Sequence, residues 1–179
     1  MRLWQKLVVG VLLLFVALVG LGVVRYDNLS VVSSNMHPSL VVGDTFTVRS
    51  GQTPQVNDII VFEAPERVGS ATGGLLSRLV AVGGQEVSLV EGHLFVEGVR
   101  IAEPFLWETE STEPRSPIPG CAQETPAIDR CVIPEGYGFV MGDNRRGSAD
   151  SRVYGPIDLS TVEGVVTEPP WWMFTGLLP

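Results

Sequence analysis

Leu7 to Val24 is a run of eighteen residues with no charge and no proline, and it sets the first constraint on this 179-residue chain. As an α-helix the run spans about 27 Å at about 1.5 Å per residue, close to the ~30 Å hydrocarbon thickness of a bilayer. A cleavable export signal has a shorter apolar core, about 7–15 residues, followed by small residues at the cut. Here Arg25-Tyr26-Asp27 follows, so a retained membrane anchor is expected. Arg2, Lys6 and the amino terminus load positive charge before the run, whereas Arg25 is offset by Asp27. The positive-inside rule then predicts a cytoplasmic N-terminus and export of everything after Val24. Trp4 and Tyr26 stand where interfacial aromatics belong. The expected division is a cytoplasmic tip and anchor over 1–27 and one exported domain over 28–179.

Beyond the anchor the apolar signal has strand character. Phe46–Arg49, Ile59–Phe62 and Arg78–Val82 are short runs rich in β-branched residues, and turn formers lie close by. Glu86–Val90, a turn at Glu91-Gly92 and His93–Val96 predict a hairpin, and Glu97-Gly98 supplies a second turn before Val99–Ile101. Phe139–Met141 and Gly164–Val166 complete the set. No segment after Val24 sustains a 3.6-residue apolar period, so helices should be minor. Twenty glycines and thirteen prolines against four methionines fit a turn-rich body. The expected fold is mainly β, an antiparallel sheet closed on itself, with one N-terminal transmembrane helix. Residues 108–131 hold four prolines and should form a loop excursion, and 63–74 is a second loop. The tail from Pro169 through Trp171, Trp172 and Phe174 to Leu178 is read equally well as core or as a patch at the membrane interface.

A net charge of −8 argues against a nucleic-acid partner, which favours a basic stripe. The two cysteines, Cys121 and Cys131, bracket nine residues, and an oxidising compartment would allow them to pair. A zinc site is not expected, since two cysteines without a nearby histidine do not supply four ligands. Nothing in the sequence calls for a metal or another cofactor.

Four segments carry the chemical signal. They are Ser33-Ser34-Asn35-Met36-His37-Pro38-Ser39-Leu40, Val42-Gly43-Asp44 with Asp58–Phe62, Ser77-Arg78-Leu79-Val80-Ala81-Val82-Gly83-Gly84, and Gly142-Asp143-Asn144-Arg145-Arg146-Gly147-Ser148-Ala149-Asp150-Ser151-Arg152. In this order they resemble the boxes of the bacterial type I signal peptidase family, S-x-S-M-x-P-T-L, the strand that lines the substrate groove, K-R-V-x-A-x-x-G and G-D-N-R-x-x-S-x-D-S-R. The last box agrees at every specified position. With the anchor, the resemblance covers nearly the whole chain.

The resemblance implies a chemistry. A serine hydroxyl attacks a peptide carbonyl, and a desolvated neutral lysine takes its proton. A backbone N–H and a hydroxyl two residues before the nucleophile hold the oxyanion. Carried over, Ser33 is the oxyanion hydroxyl, Ser148 the hydroxyl that orients the lysine, and Asp150 with Arg152 the pair that braces the loop. Met36 and Pro38 would line the groove with Ile59 and Val61, or with the alternate residues of that strand. Two positions depart. Asn35 stands at the nucleophile and Ser77 at the lysine, and the only lysine in the chain, Lys6, precedes the membrane run.

Substitutes are poor. Ser34 is shifted by one residue, about 3.8 Å along the chain and onto the other face. Ser39 is farther still. Arg78 carries a guanidinium, which does not deprotonate in proteins. Relatives that use histidine carry it at the lysine box, whereas His37 and His93 lie elsewhere. The expectation is therefore a membrane-anchored homologue without the dyad, in a bacterial plasma membrane, with the bilayer and signal peptides or other exported segments as partners. An active signal peptidase in the same membrane is a further candidate partner. The competing expectation is an active serine endopeptidase that removes signal peptides.

Overall fold

The computed structural model describes residues 4, 5, 8, 10, 26–65, 74–106, 117–123 and 129–167. The anchor expected over Leu7–Val24 lies outside them except for Val8 and Gly10, as does the aromatic tail beyond Thr167. Among the described residues no helix is long and apolar enough to cross a membrane.

Among the described residues eleven strands form two antiparallel sheets. They are β1 (Tyr26–Ser30), β2 (Thr45–Arg49), β3 (Ile59–Phe62), β4 (Leu75–Val82), β5 (Glu86–Val90), β6 (His93–Val96), β7 (Val99–Arg100), β8 (Arg130–Val132), β9 (Tyr137–Met141), β10 (Ile157–Asp158) and β11 (Val162–Thr167). The larger sheet runs β1-β2-β11-β3-β4-β9-β10 and the smaller β7-β6-β5-β8. A four-residue helix, α1 (Ser151–Tyr154), precedes β10.

Among the described residues the expected sheet closure does not occur. The larger sheet is open, with β1 and β10 as its edges. Each pairs on one side only, and β10 lasts two residues before the chain tightens into the 3-10 turn Leu159–Thr161. So short a strand has no backbone left to pair across a closing seam.

The predicted hairpin is present. Val90 faces His93, and both turn residues, Glu91 at φ 49° and Gly92 at φ 78°, take left-handed backbone. Such turns match the right-handed twist of the flanking strands. Glu97 and Gly98 repeat the geometry between β6 and β7.

Burial follows the pattern of each strand. In β5 buried and half-buried residues alternate, so one face packs inward, whereas the middle of β4 from Ser77 to Ala81 is buried throughout. One core cluster joins Val80, Ala81, Phe139 and Met141 of the larger sheet to Val87, Leu89, Leu94 and Val96 of the smaller. A second, on β3, β4 and β9, is covered by Tyr154 and Ile157 and includes Ile60, Phe62, Leu79 and Val140. Cys121 and Cys131 form a disulfide that ties β8 back to a point within the proline-rich excursion. In the chain-entropy description a loop this short contributes about 3 kcal/mol.

Candidate functional site

The first box sits in the connection between β1 and β2. Val31 donates to the Asp44 carbonyl at 2.8 Å and Gly43 donates to the Val31 carbonyl at 2.9 Å, so the loop is pinched at its base. Within it Ser34–Met36 forms a 3-10 turn, and the Ser33 hydroxyl accepts from the Asn35 backbone N–H at 3.3 Å, a side-chain cap of the kind serine favours. Met36 is fully buried and anchors the turn, while Asn35 is half-buried.

Asn35 reaches β4. Its Nδ2 donates to the Leu76 carbonyl, and its Oδ1 accepts from the Ser33 hydroxyl at 2.9 Å. The amide therefore bridges its own turn and the residue just before Ser77. Ser77 is buried and lies opposite Ile60 of β3, on the face covered by Tyr154. Tyr154 Oη is buried without a hydrogen bond. Burial first, and then the Asp150 carboxylate, push the phenol well above its ordinary range, and the nearby Ser77 hydroxyl only tempers the rise. That hydroxyl is close enough to act on the phenol but is not placed for a hydrogen bond of normal geometry.

The last box forms the loop between β9 and α1, and its polar groups are saturated. Asp150 Oδ2 accepts from the Ser148 hydroxyl at 2.6 Å, from Arg152 Nη2 at 2.7 Å and from the Gly142 N–H at 3.1 Å. Its Oδ1 accepts from Arg152 Nε at 2.8 Å and caps α1 by accepting from the Arg152 N–H at 3.2 Å. Arg152 also donates to the Arg145 carbonyl and to Ser148 Oγ. Both Asp150 and Arg152 are out of solvent, where charges persist only when paired and hydrogen-bonded.

Gly142 joins the two parts. A Cβ there would lie 2.6 Å from the Asn35 carbonyl and 2.7 Å from Ser148 Oγ, so both groups line the space that only glycine leaves open. Asn144 fastens the contact by donating its N–H to the Asn35 carbonyl at 3.0 Å and its Nδ2 to the Ser34 carbonyl at 3.1 Å. Ser33, Asn35, Ser77, Ser148, Asp150 and Arg152 thus belong to one neighbourhood, assembled from three distant stretches of chain.

A further segment, 101–106, lies across it. Glu103 pairs with the buried Arg145 at 2.6 Å, and the Phe105 ring lies 3.9 Å from the Arg78 guanidinium carbon. Arg78 makes a two-pronged pair with Asp143, at 2.9 and 2.6 Å, and donates to the Asn57 carbonyl. Its role is architectural, in keeping with a guanidinium that cannot serve as a base.

The remaining candidates are placed as follows. Pro38 and Ile59 are half-buried, whereas Val61 is packed with Val31, Phe46 and Val48. His37 follows the 3-10 turn and is half-buried; His93 is exposed on β6 beside Arg100. Among the described residues no group of three or more His, Cys, Asp or Glu could hold a metal ion. Sequence reasoning missed Asn144, Glu103 and Tyr154. Asn144 was legible only as part of its box, and nothing local marks Glu103 or Tyr154 as neighbours of Arg145 or Ser77.

A family model described as "Signal peptidase, peptidase S26" matches residues 2–172. The chain belongs to the signal peptidase family. Among curated relatives, the Synechocystis protein named "Probable signal peptidase I-1" is 31% identical over 172 residues, covering 90% of this chain and 81% of its own. Signal peptidase I V of Bacillus subtilis is 32% identical over 111 residues, 62% of this chain and 63% of that one. Thylakoidal processing peptidase 1 of Arabidopsis thaliana is 31% identical over 146 residues, and there the chain spans only 39% of the relative's length. A solved signal peptidase I of Enterococcus faecalis has a TM-score of 0.49 at 29% identity, covering 65% of this chain and 98% of that one. Within the signal peptidase family, then, this member carries an amide and a hydroxyl, Asn35 and Ser77, at the centre of its box assembly.

Proposed function

We propose that this signal peptidase family member binds signal peptides or other extended exported segments without cutting them. The observation that carries the reading is the Asn35 bridge to Leu76 and Ser33, an amide fixed where a serine nucleophile would stand. An amide supplies no hydroxyl for attack, and Ser77 is not a useful base at neutral pH. Among the described residues no neighbour replaces them. Asp150 is committed to Arg152 and Ser148, and Tyr154 keeps its proton even more firmly than an ordinary phenol. The supporting roles assigned to Ser33, Ser148, Asp150 and Arg152, and the groove assigned to Pro38 and Ile59, are part of the same proposal; Met36 and Val61, assigned to the groove as well, are buried and offer a bound segment no surface. Binding by strand addition would use backbone hydrogen bonds that need no catalytic side chain. An anchor preceding β1, which itself begins at Tyr26 rather than after residue 27, would hold the body on the outer face of a bacterial plasma membrane, within reach of emerging segments and of a cleaving sister enzyme.

The test uses the full chain in detergent micelles with a signal-peptide-bearing precursor. The expected outcome is saturable binding with the precursor left intact; cleavage by the unaltered chain would refute the reading and install the family's endopeptidase activity instead. The double variant N35S/S77K sharpens it. No cleavage is expected from that variant either, because Ser77 is 2% exposed and packed under Tyr154, and a lysine stem forced into such a core strains it. Recovered cleavage would mean that only the two side chains had been lost.

A further inference from the structure

The side chain of Asn35 occupies hydrogen-bonding capacity that a bound segment would need. The last paired residues of β4 and β9 are Arg78 and Met141, after which the chain turns away into the Gly142–Arg152 loop. Two residues earlier on β4, the Leu76 carbonyl is met by Asn35 Nδ2. An unpaired strand edge is what strand addition exploits, and here a side chain has taken up one of its acceptors.

We propose that Asn35 is an internal plug, whose amide competes with the backbone N–H of an extended peptide for the Leu76 carbonyl. The inference rests on the peptide-binding reading above and adds its regulation. Three features hold the plug in place. Asn35 Oδ1 is engaged by the Ser33 hydroxyl, so the amide is gripped from both ends. Its backbone cannot withdraw, because the Asn35 and Ser34 carbonyls accept from Asn144, and the neighbouring Met36 side chain has no exposure. The half-buried setting of Asn35 limits the water that could take over its donors. Release therefore takes rotation of the side chain with loss of both hydrogen bonds, and a peptide must supply replacements.

The experiment compares the full chain with N35A and N35D in detergent micelles, using fluorescence anisotropy of a fluorescein-labelled alanine-rich heptapeptide. Aspartate keeps the shape of asparagine but has no donor for Leu76. Both variants should bind about tenfold more tightly than the unaltered chain, the scale of one good hydrogen bond removed from competition. Equal affinity for all three chains overturns the plug and leaves the binding reading standing; absence of binding by all three overturns both. A second measurement does not depend on how the variants fold. The Asn35 side-chain amide hydrogens of the unaltered chain should exchange slowly when free and faster at saturating peptide. Unchanged protection at saturation overturns the proposal.

Discussion

The Gly142–Arg152 loop and the Asn35–Ser77 centre lie side by side and are built in opposite ways. In the loop every buried charge has its partner. Asp150 receives five hydrogen bonds, from Ser148, Gly142 and three groups of Arg152. At the centre an amide spans a gap, and a buried phenol beside it has no hydrogen bond. Groups that fold the chain can be kept by selection for stability alone, whatever stands at the positions that only react. The contrast teaches that agreement with a family's boxes is evidence about architecture first.

The largest test of that contrast removes the carboxylate at the heart of the saturated loop. D150A leaves Arg152 buried and unpaired, which costs about 3–5 kcal/mol, and should appear as a sharp loss of thermal stability in near-ultraviolet circular dichroism. A loss below about 1 kcal/mol would mean that the loop is not the rigid partner in the comparison.

Next in size is G142A, which puts a methyl group between the Asn35 carbonyl and Ser148 Oγ. Overpacking of this kind costs about 1–3 kcal/mol. Because the methyl presses on both regions, amide resonances of residues on each side should shift together in a nitrogen–hydrogen correlation spectrum. Shifts confined to one side would separate them.

The smallest effect runs the other way. Y154F deletes a buried hydroxyl that makes no hydrogen bond, so stability at neutral pH should hold or rise by up to about 1 kcal/mol, in contrast to the ordinary cost of core substitution. The pH dependence is more diagnostic. Burial raises the phenol in the folded chain, so in the unfolded chain the same group gives up its proton first. Stability tied to it is complete below about pH 10 and falls as pH climbs above that value. Alkaline unfolding scans should show a shallower fall for Y154F than for the unaltered chain, and identical limbs would remove Tyr154 from the account.

How much of this was legible in the sequence follows from the same physics. The Glu91-Gly92 and Glu97-Gly98 turns were readable because strand pairs need left-handed backbone there and the flanking residues alternate. β1, β8 and β10 were not. β8 and β10 are short, and exposed residues such as Asp27 and Asn28 in β1, Arg130 in β8 and Asp158 in β10 give no apolar period. The same shortness at β10 explains why closure of the sheet was wrongly expected. At the site, the box residues were readable as motifs. The bridge from Asn35 to Leu76, the cover of Tyr154 over Ser77 and the Glu103–Arg145 pair depend on how the sheet brings distant segments together, and no local spacing encodes that.

The segment 101–106 reaches both Arg145 through Glu103 and Arg78 through Phe105, so two of the family boxes share one clasp. Drift at either clasp residue would loosen the framework around both arginines, so the clasp is held by a structural constraint of its own. Folding alone can therefore act as custodian of the box framework, holding its walls upright whatever stands at positions 35 and 77.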